Sequence, residues 1–190
     1  MAQRMFVALI PPEEIREEIA EFLSARPQIS WVPEEQWHIT LSFMKAVPDR
    51  KIDDLVLRLA RGFRKQQPPL LGFRGAGAFP DAITAKVLWL RPDLVEGDLG
   101  PLAVTARNAA NKAGVQTDGQ TFVPHMTVAR FRRAAPAGKW LQVLDTFSSE
   151  VWLAEEAHLV ASYLREGPGR RPRYETVATF KLSEDADQDT

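Results

Sequence analysis

The sequence predicts an α+β fold in which two similar lobes flank a cleft. Segments with the helical period of about 3.6 residues alternate with short strand-like segments along the whole chain of 190 residues, without a long low-complexity linker. The pattern His-x-Thr occurs twice, at His38 and His125, which lie 87 positions apart (125 − 38), close to half the chain. Each copy follows a predicted strand and a predicted helix. This repetition indicates an imperfect internal duplication with one site between two lobes.

The first half of the chain predicts strands and helices in alternation. Residues 5–10 form a short apolar run typical of a buried strand, and the two prolines after it open a helix with acidic residues in its first turn. Residues 29–33 and 36–44 predict two further strands. Residues 51–66 predict a second helix, because their apolar side chains form one stripe at the helical period.

The second half continues this mixture of helices and strands. Residues 97–113 predict a third helix that ends at Gly114, a residue type common just after helices, and residues 139–147 predict a short fourth helix. Strands are predicted at 70–79, 84–92, 124–131, 151–154, 158–164 and 174–182. We therefore expect a single bilobal domain over residues 1–182, with one His-x-Thr motif in each half. Residues 183–190 are acidic and poor in apolar side chains, which predicts a disordered tail.

The composition is that of an ordinary soluble globular protein and excludes several kinds of site. Hydrophobic residues make up 45% and charged residues 26%. The formal net charge of -1 gives no global attraction to nucleic acid or membranes, although a local basic cleft remains compatible with it. The absence of cysteine excludes disulfides, a thiol nucleophile and thiolate metal ligands. No apolar segment approaches the roughly 18 residues of a membrane span, so we expect a cytoplasmic protein.

The two His-x-Thr segments both place polar side chains on one face of a strand. Residues two apart in a strand point to the same side. His38 therefore shares a face with Thr40 and Ser42, and His125 shares a face with Thr127. Apolar residues occupy the opposite face of each segment. The pattern predicts that the apolar faces anchor the strands and that the polar faces line a cleft.

This pair of motifs suits phosphate-ester chemistry. Two imidazoles across a cleft can act as base and acid in one reaction, because the histidine pKa of about 6.5 lets either role occur near neutrality. Threonine hydroxyls beside them can bind phosphate oxygens as charge develops there. A single His-x-Thr is a weak motif, since threonine favours strands, but two copies use two of the three histidines. A two-histidine metal site is a rival interpretation that lacks a third ligand, as no cysteine and no HExxH spacing occur.

The motifs and their flanks resemble a known family over nearly the whole chain. The segments concerned are MFVALIPPEEIREEI, WVPEEQWHITLSFM, GAGAFPD followed by VLWL, FVPHMTVARF and ASYLREGPGRRPRYETVATFKL. Together they resemble the RNA 2',3'-cyclic phosphodiesterases, also called the 2'-5' RNA ligase family, within the 2H phosphoesterase superfamily. With these flanks the tandem motifs are far more specific than the His-x-Thr pairs alone.

The resemblance implies a fold and an activity. The fold would be a bilobal 2H-phosphoesterase-like α+β fold, with two pseudo-symmetric lobes of antiparallel sheet, helices packed outside and a positively lined central cleft. The activity would be metal-independent opening of a 2',3'-cyclic phosphate at an RNA end to leave a 2'-phosphate, without any cofactor. Joining of such an end to a 5'-hydroxyl through a 2'-5' bond is associated with the same site.

The resemblance also implies residue roles. His38 would donate a proton to the departing 3'-oxygen, and His125 would accept one from the attacking water. Thr40 and Thr127 would bind the phosphate oxygens. Arg130 matches a family position for a substrate contact, yet strict alternation puts it on the face opposite His125. A bulge, a twist or the length of the side chain must therefore bring Arg130 round to the cleft.

The expected partner is an RNA with a 2',3'-cyclic phosphate end, bound by a monomer without contact to a membrane. Three alternatives stay open from the sequence. The substrate could be a small 2',3'-cyclic nucleotide or ADP-ribose cyclic phosphate. The chain could be a non-catalytic RNA-binding module, against which the intact histidines and threonines argue. It could also be a zinc or manganese hydrolase, which a chelator would inactivate.

Several residues outside the motifs were weighed as well. Two arginine clusters could guide an RNA backbone from opposite sides of the cleft, namely Arg130, Arg132 and Arg133, and Arg170, Arg171 and Arg173. His158 has no threonine two positions later and is interpreted as a surface or packing residue. Tyr163 and Tyr174 are interpreted as structural, with the alternative that one of them reaches the site.

Overall fold

A computed structural model describes residues 1–183, in which eight strands and four α-helices follow one another. The strands are β1 (Ala2–Leu9), β2 (Ile39–Pro48), β3 (Leu70–Phe79), β4 (Ala85–Glu96), β5 (Met126–Ala135), β6 (Trp152–Leu153), β7 (Glu156–Tyr163) and β8 (Arg173–Lys181). The helices are α1 (Glu13–Ser24), α2 (Ile52–Phe63), α3 (Gly100–Lys112) and α4 (Gly138–Leu144). Of the predicted tail, only Ser183 is described, and its N–H donates a hydrogen bond to the Gln66 carbonyl (3.0 Å). Residues 184–190 lie outside the described part.

The strands form one antiparallel sheet in the order β6-β3-β4-β5-β2-β1-β7-β8. The sheet is weakest at its centre, because the ladder between β2 and β5 consists of the single residue pair Ile39–Met126. The neighbouring ladders are much longer, so the sheet divides there into two four-stranded lobes. The predicted α+β class and bilobal arrangement are confirmed.

The two lobes are related by an approximate twofold axis but interleave along the chain. The order β2-β1-β7-β8 on one side of the centre corresponds to β5-β4-β3-β6 on the other. The segments β1-α1-β2 and β4-α3-β5 also match in element order. One lobe is therefore built from the continuous stretch β3 to β6, whereas the other combines β1 and β2 with β7 and β8. The lobes do not coincide with the two halves of the sequence.

All four helices contribute to the same hydrophobic core as the sheet. The buried side chains of α2 are Leu55, Leu59 and Phe63, spaced by four residues as the apolar stripe predicts. Helix α3 buries small alanines instead, which suits the tight contact where Gly62 of α2 meets the Thr105 methyl group. Because the helices cover one face of the sheet, the opposite face remains available at its centre to line a cleft.

Two predicted strands differ from the structure near the first motif. The predicted strand at 29–33 is wrong: Trp31 makes only an isolated bridge to Ala129, and the Val32 N–H donates to the Val128 carbonyl (2.8 Å). A 3₁₀ turn over Glu34–Gln36 then delays β2, which begins at Ile39 rather than at residue 36. The prolines at positions 27 and 33 cannot donate to a ladder, which explains why this apolar segment stays irregular.

The helix ends agree more closely with the sequence patterns. Helix α3 starts at Gly100, whose N–H donates to the Asp98 side chain (2.9 Å), three residues later than predicted. Gly114 adopts a positive φ of 68° directly after α3, which is the conformation that favours glycine at this position. None of the helices over residues 1–183 has the length and apolar character needed to span a membrane.

Candidate functional site

A cleft of about 1020 Å³ opens at the centre of the sheet, where the two lobes meet. It lies on the face opposite the helices, since Ile39 and Met126 are fully buried in the core while their neighbours line the cleft. All five residues predicted for the site line it: His38, Thr40, His125, Thr127 and Arg130. The structure thus brings together both motifs, although their roles in a reaction remain a prediction.

The single residue pair between β2 and β5 determines how the motifs face each other. Because the strands are antiparallel, this register places His38 level with Thr127, and Thr40 level with His125. Each histidine therefore lies across from the threonine of the other motif. Both histidines come immediately before their strands rather than within them.

The two histidines are oriented by the same local hydrogen bond. His38 Nδ1 lies 2.7 Å from the Gln36 carbonyl oxygen, and His125 Nδ1 lies 2.7 Å from the Val123 carbonyl oxygen. A carbonyl oxygen can only accept, so Nδ1 carries the proton in both rings. Nε2 is then the free nitrogen of each neutral imidazole, available to take a proton from a bound ligand. When charged, the same nitrogen can donate one.

Burial and nearby positive charge keep both imidazoles neutral. Burial is the main reason that the pKa of His38 is lowered to about 4. The hydrogen bond to Gln36 raises the pKa, whereas electrostatic interactions with Arg130 and His125 lower it further. Burial also lowers the pKa of His125, where the hydrogen bond to Val123 opposes the shift and Arg130 adds to it. In the free protein at neutral pH, both rings are therefore proton acceptors.

Aromatic rings support His38 from one lobe. Phe6 of β1 stacks on the imidazole, with 4.5 Å between ring centroids and 24° between planes. Tyr174 of β8 meets the same ring edge-on at 5.5 Å and 84°. Tyr174 lines the cleft, so the interpretation of this tyrosine as merely structural is too narrow.

A second aromatic pair supports His125 from the other lobe. The Phe79 ring of β3 meets the imidazole edge-on, with 4.9 Å between ring centroids and 90° between planes. The Trp89 ring of β4 lies 5.9 Å from the imidazole centroid, with 57° between planes. Trp89 pairs with Gly77 on the neighbouring strand, and a Cβ atom at Gly77 would lie 2.0 Å from the indole ring. The absence of a side chain at Gly77 therefore lets the indole lie across β3 and pack beside His125.

A bulge in β5 brings Arg130 into the cleft. Leu88 of β4 pairs with Ala129, but the next residue, Trp89, pairs with Thr127, so Val128 is an extra residue in the ladder. The extra residue reverses the alternation of side chains beyond it. Arg130 consequently joins Thr127 on the cleft face, which strict alternation from the sequence could not predict.

The equivalent bulge in β2 changes the prediction for Ser42. Ala8 pairs with Thr40 and Val7 with Ser42, which makes Leu41 the extra residue. Ser42 is consequently buried (8% exposed) and does not share the cleft face with His38, so that part of the alternation prediction is wrong. Phe43 takes the place that Arg130 has in the other lobe, three residues after the threonine.

The cleft is positively charged although the whole protein is not. Its lining includes four arginines, Arg4, Arg130, Arg132 and Arg171, and no aspartate or glutamate among the described residues. None of these four forms an ion pair within residues 1–183. Since the net charge of the chain is -1, the cations are concentrated at this site. Such a cleft favours a ligand with several negative charges.

The predicted arginine clusters reach the cleft only in part. Arg171 lines it and donates to the Ser30 hydroxyl (3.1 Å), whereas Arg173 pairs with Glu166 and Glu175 (3.0 Å each). Arg170 does not line the cleft, and of the cluster on β5 only the first two arginines do. Arg4 on β1 was not predicted. It is far from either motif in the sequence, and only the pairing of β1 with β2 shows that it joins the site.

The remaining acidic and histidine residues give no further cluster at this site. His158 lies beside Thr179, with 3.1 Å between Nδ1 and the hydroxyl, and is absent from the cleft lining, consistent with a packing role. Within residues 1–183, no three histidine, aspartate or glutamate side chains come together as metal ligands would.

Comparison with known proteins identifies relatives that match most of the chain. The family model described as the 2'-5' RNA ligase superfamily matches residues 11–165. Among curated proteins, the RNA 2',3'-cyclic phosphodiesterase of Thermus thermophilus is 33% identical over 187 residues, covering 94% of this chain and 90% of that protein. Its namesake from Archaeoglobus fulgidus is 32% identical over 150 residues, covering 77% and 82%. The Geobacillus stearothermophilus namesake is 30% identical over 93% of this chain, which spans only 56% of that relative.

Solved structures show the same fold. Escherichia coli LigT complexed with 3'-AMP superimposes with a TM-score of 0.73 at 26% identity, covering 97% of this chain and 100% of LigT. A Thermus thermophilus protein superimposes with a TM-score of 0.76 at 28% identity, covering 95% and 99%. The bilobal fold predicted from the motifs is therefore confirmed over the described chain.

Replacement of Gly77 by alanine should disturb the support of His125. The new Cβ would overlap the Trp89 ring, so the indole must shift, and overpacking of this kind costs about 1–3 kcal/mol of unfolding free energy. Denaturant unfolding measures the loss, and NMR titration should show that the lowered pKa of His125 moves back toward its ordinary value. Gly138→Ala is the matched control, because nothing lies within 4 Å of a Cβ there. Equal stability of the two variants would contradict the packing argument.

Arg130→Gln should raise the pKa of both cleft histidines, because the positive charge that contributes to lowering both values is removed. NMR titration of the imidazole carbons in the free protein measures this directly. Arg133→Gln, on the same strand but outside the cleft lining, should leave both titrations unchanged. If the two variants titrate alike, Arg130 does not act on the histidines as described.

Proposed function

Because this chain belongs to the 2'-5' RNA ligase superfamily, we propose that it is a phosphodiesterase that hydrolyses RNA 2',3'-cyclic phosphate ends to 2'-phosphates. The observation that carries the proposal is the cleft, where two identically oriented histidines share a space with arginines and, among residues 1–183, with no carboxylate. The names of the Thermus and Archaeoglobus relatives support the activity. The complex of E. coli LigT with 3'-AMP supports binding of a nucleotide in this fold.

The proposed reaction is a single displacement at phosphorus. A water oxygen attacks the cyclic phosphate while His125 Nε2 accepts the water proton. The bond from phosphorus to the 3'-oxygen breaks, and His38 Nε2 donates a proton to that oxygen. The bond to the 2'-oxygen stays, which leaves a 2'-phosphate and a 3'-hydroxyl. General acid and base catalysis of this kind contributes about 10²–10⁴-fold for each group.

The other cleft residues stabilise the phosphate as its charge develops. Thr40 and Thr127 would each donate a hydroxyl hydrogen bond to a non-bridging oxygen, from positions level with the two histidines. Arg130 would neutralise the phosphate, in keeping with its electrostatic influence on both imidazoles. The proton transfers and the charge stabilisation all come from side chains, so the proposed reaction requires no metal and no cofactor.

Substrate binding would also set the protonation state. His38 can donate a proton only when it is charged, and its pKa of about 4 in the empty cleft disfavours that state. A bound phosphate brings a negative charge between the rings and offsets the arginines, which raises the pKa of both histidines. The proposed donor therefore acquires its proton together with the substrate.

The same site would support ligation. If the 5'-hydroxyl of a second RNA takes the place of the attacking water, the same proton transfers form a 2'-5' phosphodiester and release the 3'-oxygen. The protein would act as a monomer, since one chain supplies both histidines and both threonines of the cleft. Arg132 and Arg171, beyond the reacting phosphate, would contact the RNA backbone.

Hydrolysis of an RNA oligonucleotide that ends in a 2',3'-cyclic phosphate, in excess EDTA, tests this function. We expect a 2'-phosphate product from the wild type, and losses of about 10²–10⁴-fold for His38→Ala and His125→Ala. His158→Ala is the matched control, since it removes the third histidine, outside the cleft. Activity that disappears in EDTA and returns with metal, or full activity of either cleft variant, would refute the two-histidine mechanism.

The pH dependence should follow the lowered histidine pKa values. One ring must be charged and the other neutral, so kcat/KM should be bell-shaped. The value of kcat/KM should fall at high pH as the proton donor loses its proton, and at low pH as the proton acceptor gains one. Since both values are lowered in the free protein, the maximum of kcat/KM should lie below about pH 6.5. The profile of kcat should lie at higher pH, because bound phosphate raises both values. An alkaline limb of kcat/KM centred above about pH 6.5 would contradict this.

A further inference from the structure

We propose that Arg4, held over the Phe43 ring, binds a second phosphate of the substrate, the one on the 5' side of the terminal nucleotide. The inference rests on the proposed function and names the substrate class more closely. A terminal nucleotide with a 5'-phosphate, as in an RNA chain, would be preferred over a free nucleoside 2',3'-cyclic phosphate.

The first support is the symmetry of the cleft. Phe43 and Arg130 occupy equivalent places, each three residues after its threonine and just beyond a bulge. One lobe thus offers an arginine where the other offers an aromatic ring. Arg4 replaces the missing cation on that side: its guanidinium carbon lies 4.3 Å from the Phe43 centroid, and its side chain lines the cleft.

The ring beneath Arg4 is itself firmly held. Phe43 packs in a small apolar cluster with Phe6, Ala8 and Val160 on the cleft face of the sheet. A guanidinium stacked on such a ring keeps its N–H groups at the edge of the stack, where they can bind phosphate oxygens. Arg4 forms no ion pair within the described residues, so its charge is not neutralised by the protein.

The second support is that the charges of Arg130 and Arg4 influence different titratable groups. Burial lowers the pKa of both histidines and raises the pKa of Tyr174; the charge of Arg130 adds to the first two shifts and opposes the third. The charge of Arg4 acts on Tyr174 but contributes to neither histidine shift. Arg130 therefore belongs with the reacting phosphate between the histidines, whereas Arg4 acts on the Tyr174 side of the cleft and not on the histidines. A cation placed there suits an anion one linkage away from the reacting one.

Calorimetric binding of two ligands tests the inference without requiring turnover. Adenosine 2'-phosphate carries only the product phosphate, and adenosine 2',5'-bisphosphate adds a 5'-phosphate. We expect the bisphosphate to bind the wild type roughly tenfold more tightly, as one charged hydrogen-bonded contact allows. Arg4→Gln should remove this advantage without changing the affinity for the monophosphate.

Three variants make the test specific. Arg4→Lys should keep part of the advantage, since the charge remains, and Phe43→Leu should reduce it by releasing the guanidinium. Arg61→Gln, an exposed arginine of α2 outside the cleft, should keep it in full. Equal affinity of the wild type for both ligands, or equal weakening of both by Arg4→Gln, would overturn the inference.

Turnover separates this inference from the proposed function. The wild type should hydrolyse adenosine 5'-phosphate 2',3'-cyclic phosphate with a higher kcat/KM than adenosine 2',3'-cyclic phosphate, and Arg4→Gln should equalise the two. Turnover of both substrates with equal kcat/KM would leave the function standing and refute the role of Arg4. Absence of turnover together with a normal calorimetric preference would refute the function and leave the second phosphate site standing.

Discussion

The site depends on one antiparallel residue pair at the centre of the sheet. Ile39 and Met126 join the lobes, and both side chains are fully buried on the helix-covered face. The residues on either side of this pair must then face the cleft, which places each histidine across from the opposite threonine. A slip of one residue would turn the motif of the shifted strand toward the core. The two strands share no further residue pair, and the cleft opens at this point of the sheet.

Positive charge and burial together define the resting state of this cleft. Burial keeps both imidazoles neutral, and the charge of Arg130 adds to this effect; Arg130 is one of four cleft arginines that form no ion pair within residues 1–183. The unpaired cations repel one another until an anion binds between them. The free energy released by that anion is available to charge one histidine, so ligand binding and protonation are thermodynamically linked.

The sequence predicted the family, the fold class and five residues that line the cleft, because paired motifs and their flanks are specific. The enzyme class agrees with the names of the relatives. The sheet face occupied by the residues after each motif could not be predicted. A bulge reverses the alternation of side chains beyond it, and the sequence carries no clear signal of the bulge. Ser42 is off the predicted cleft face for that reason, whereas Arg130 reaches the cleft through the bulge that its family position required. Arg4 was missed because it joins the site through sheet order, a long-range property that local patterns do not contain.

The interleaved lobes have a consequence for the order of events during synthesis. The lobe of His125 comes from one continuous stretch, β3 to β6, and can pair its strands as soon as that stretch is available. The lobe of His38 must wait, because β7 joins β1 about 150 residues after β1 was made, and Tyr174 arrives later still. In a nascent chain, the lobe of His125 is therefore complete while β1 still lacks its partner β7. The cleft forms only when the hairpin of β7 and β8 pairs with β1.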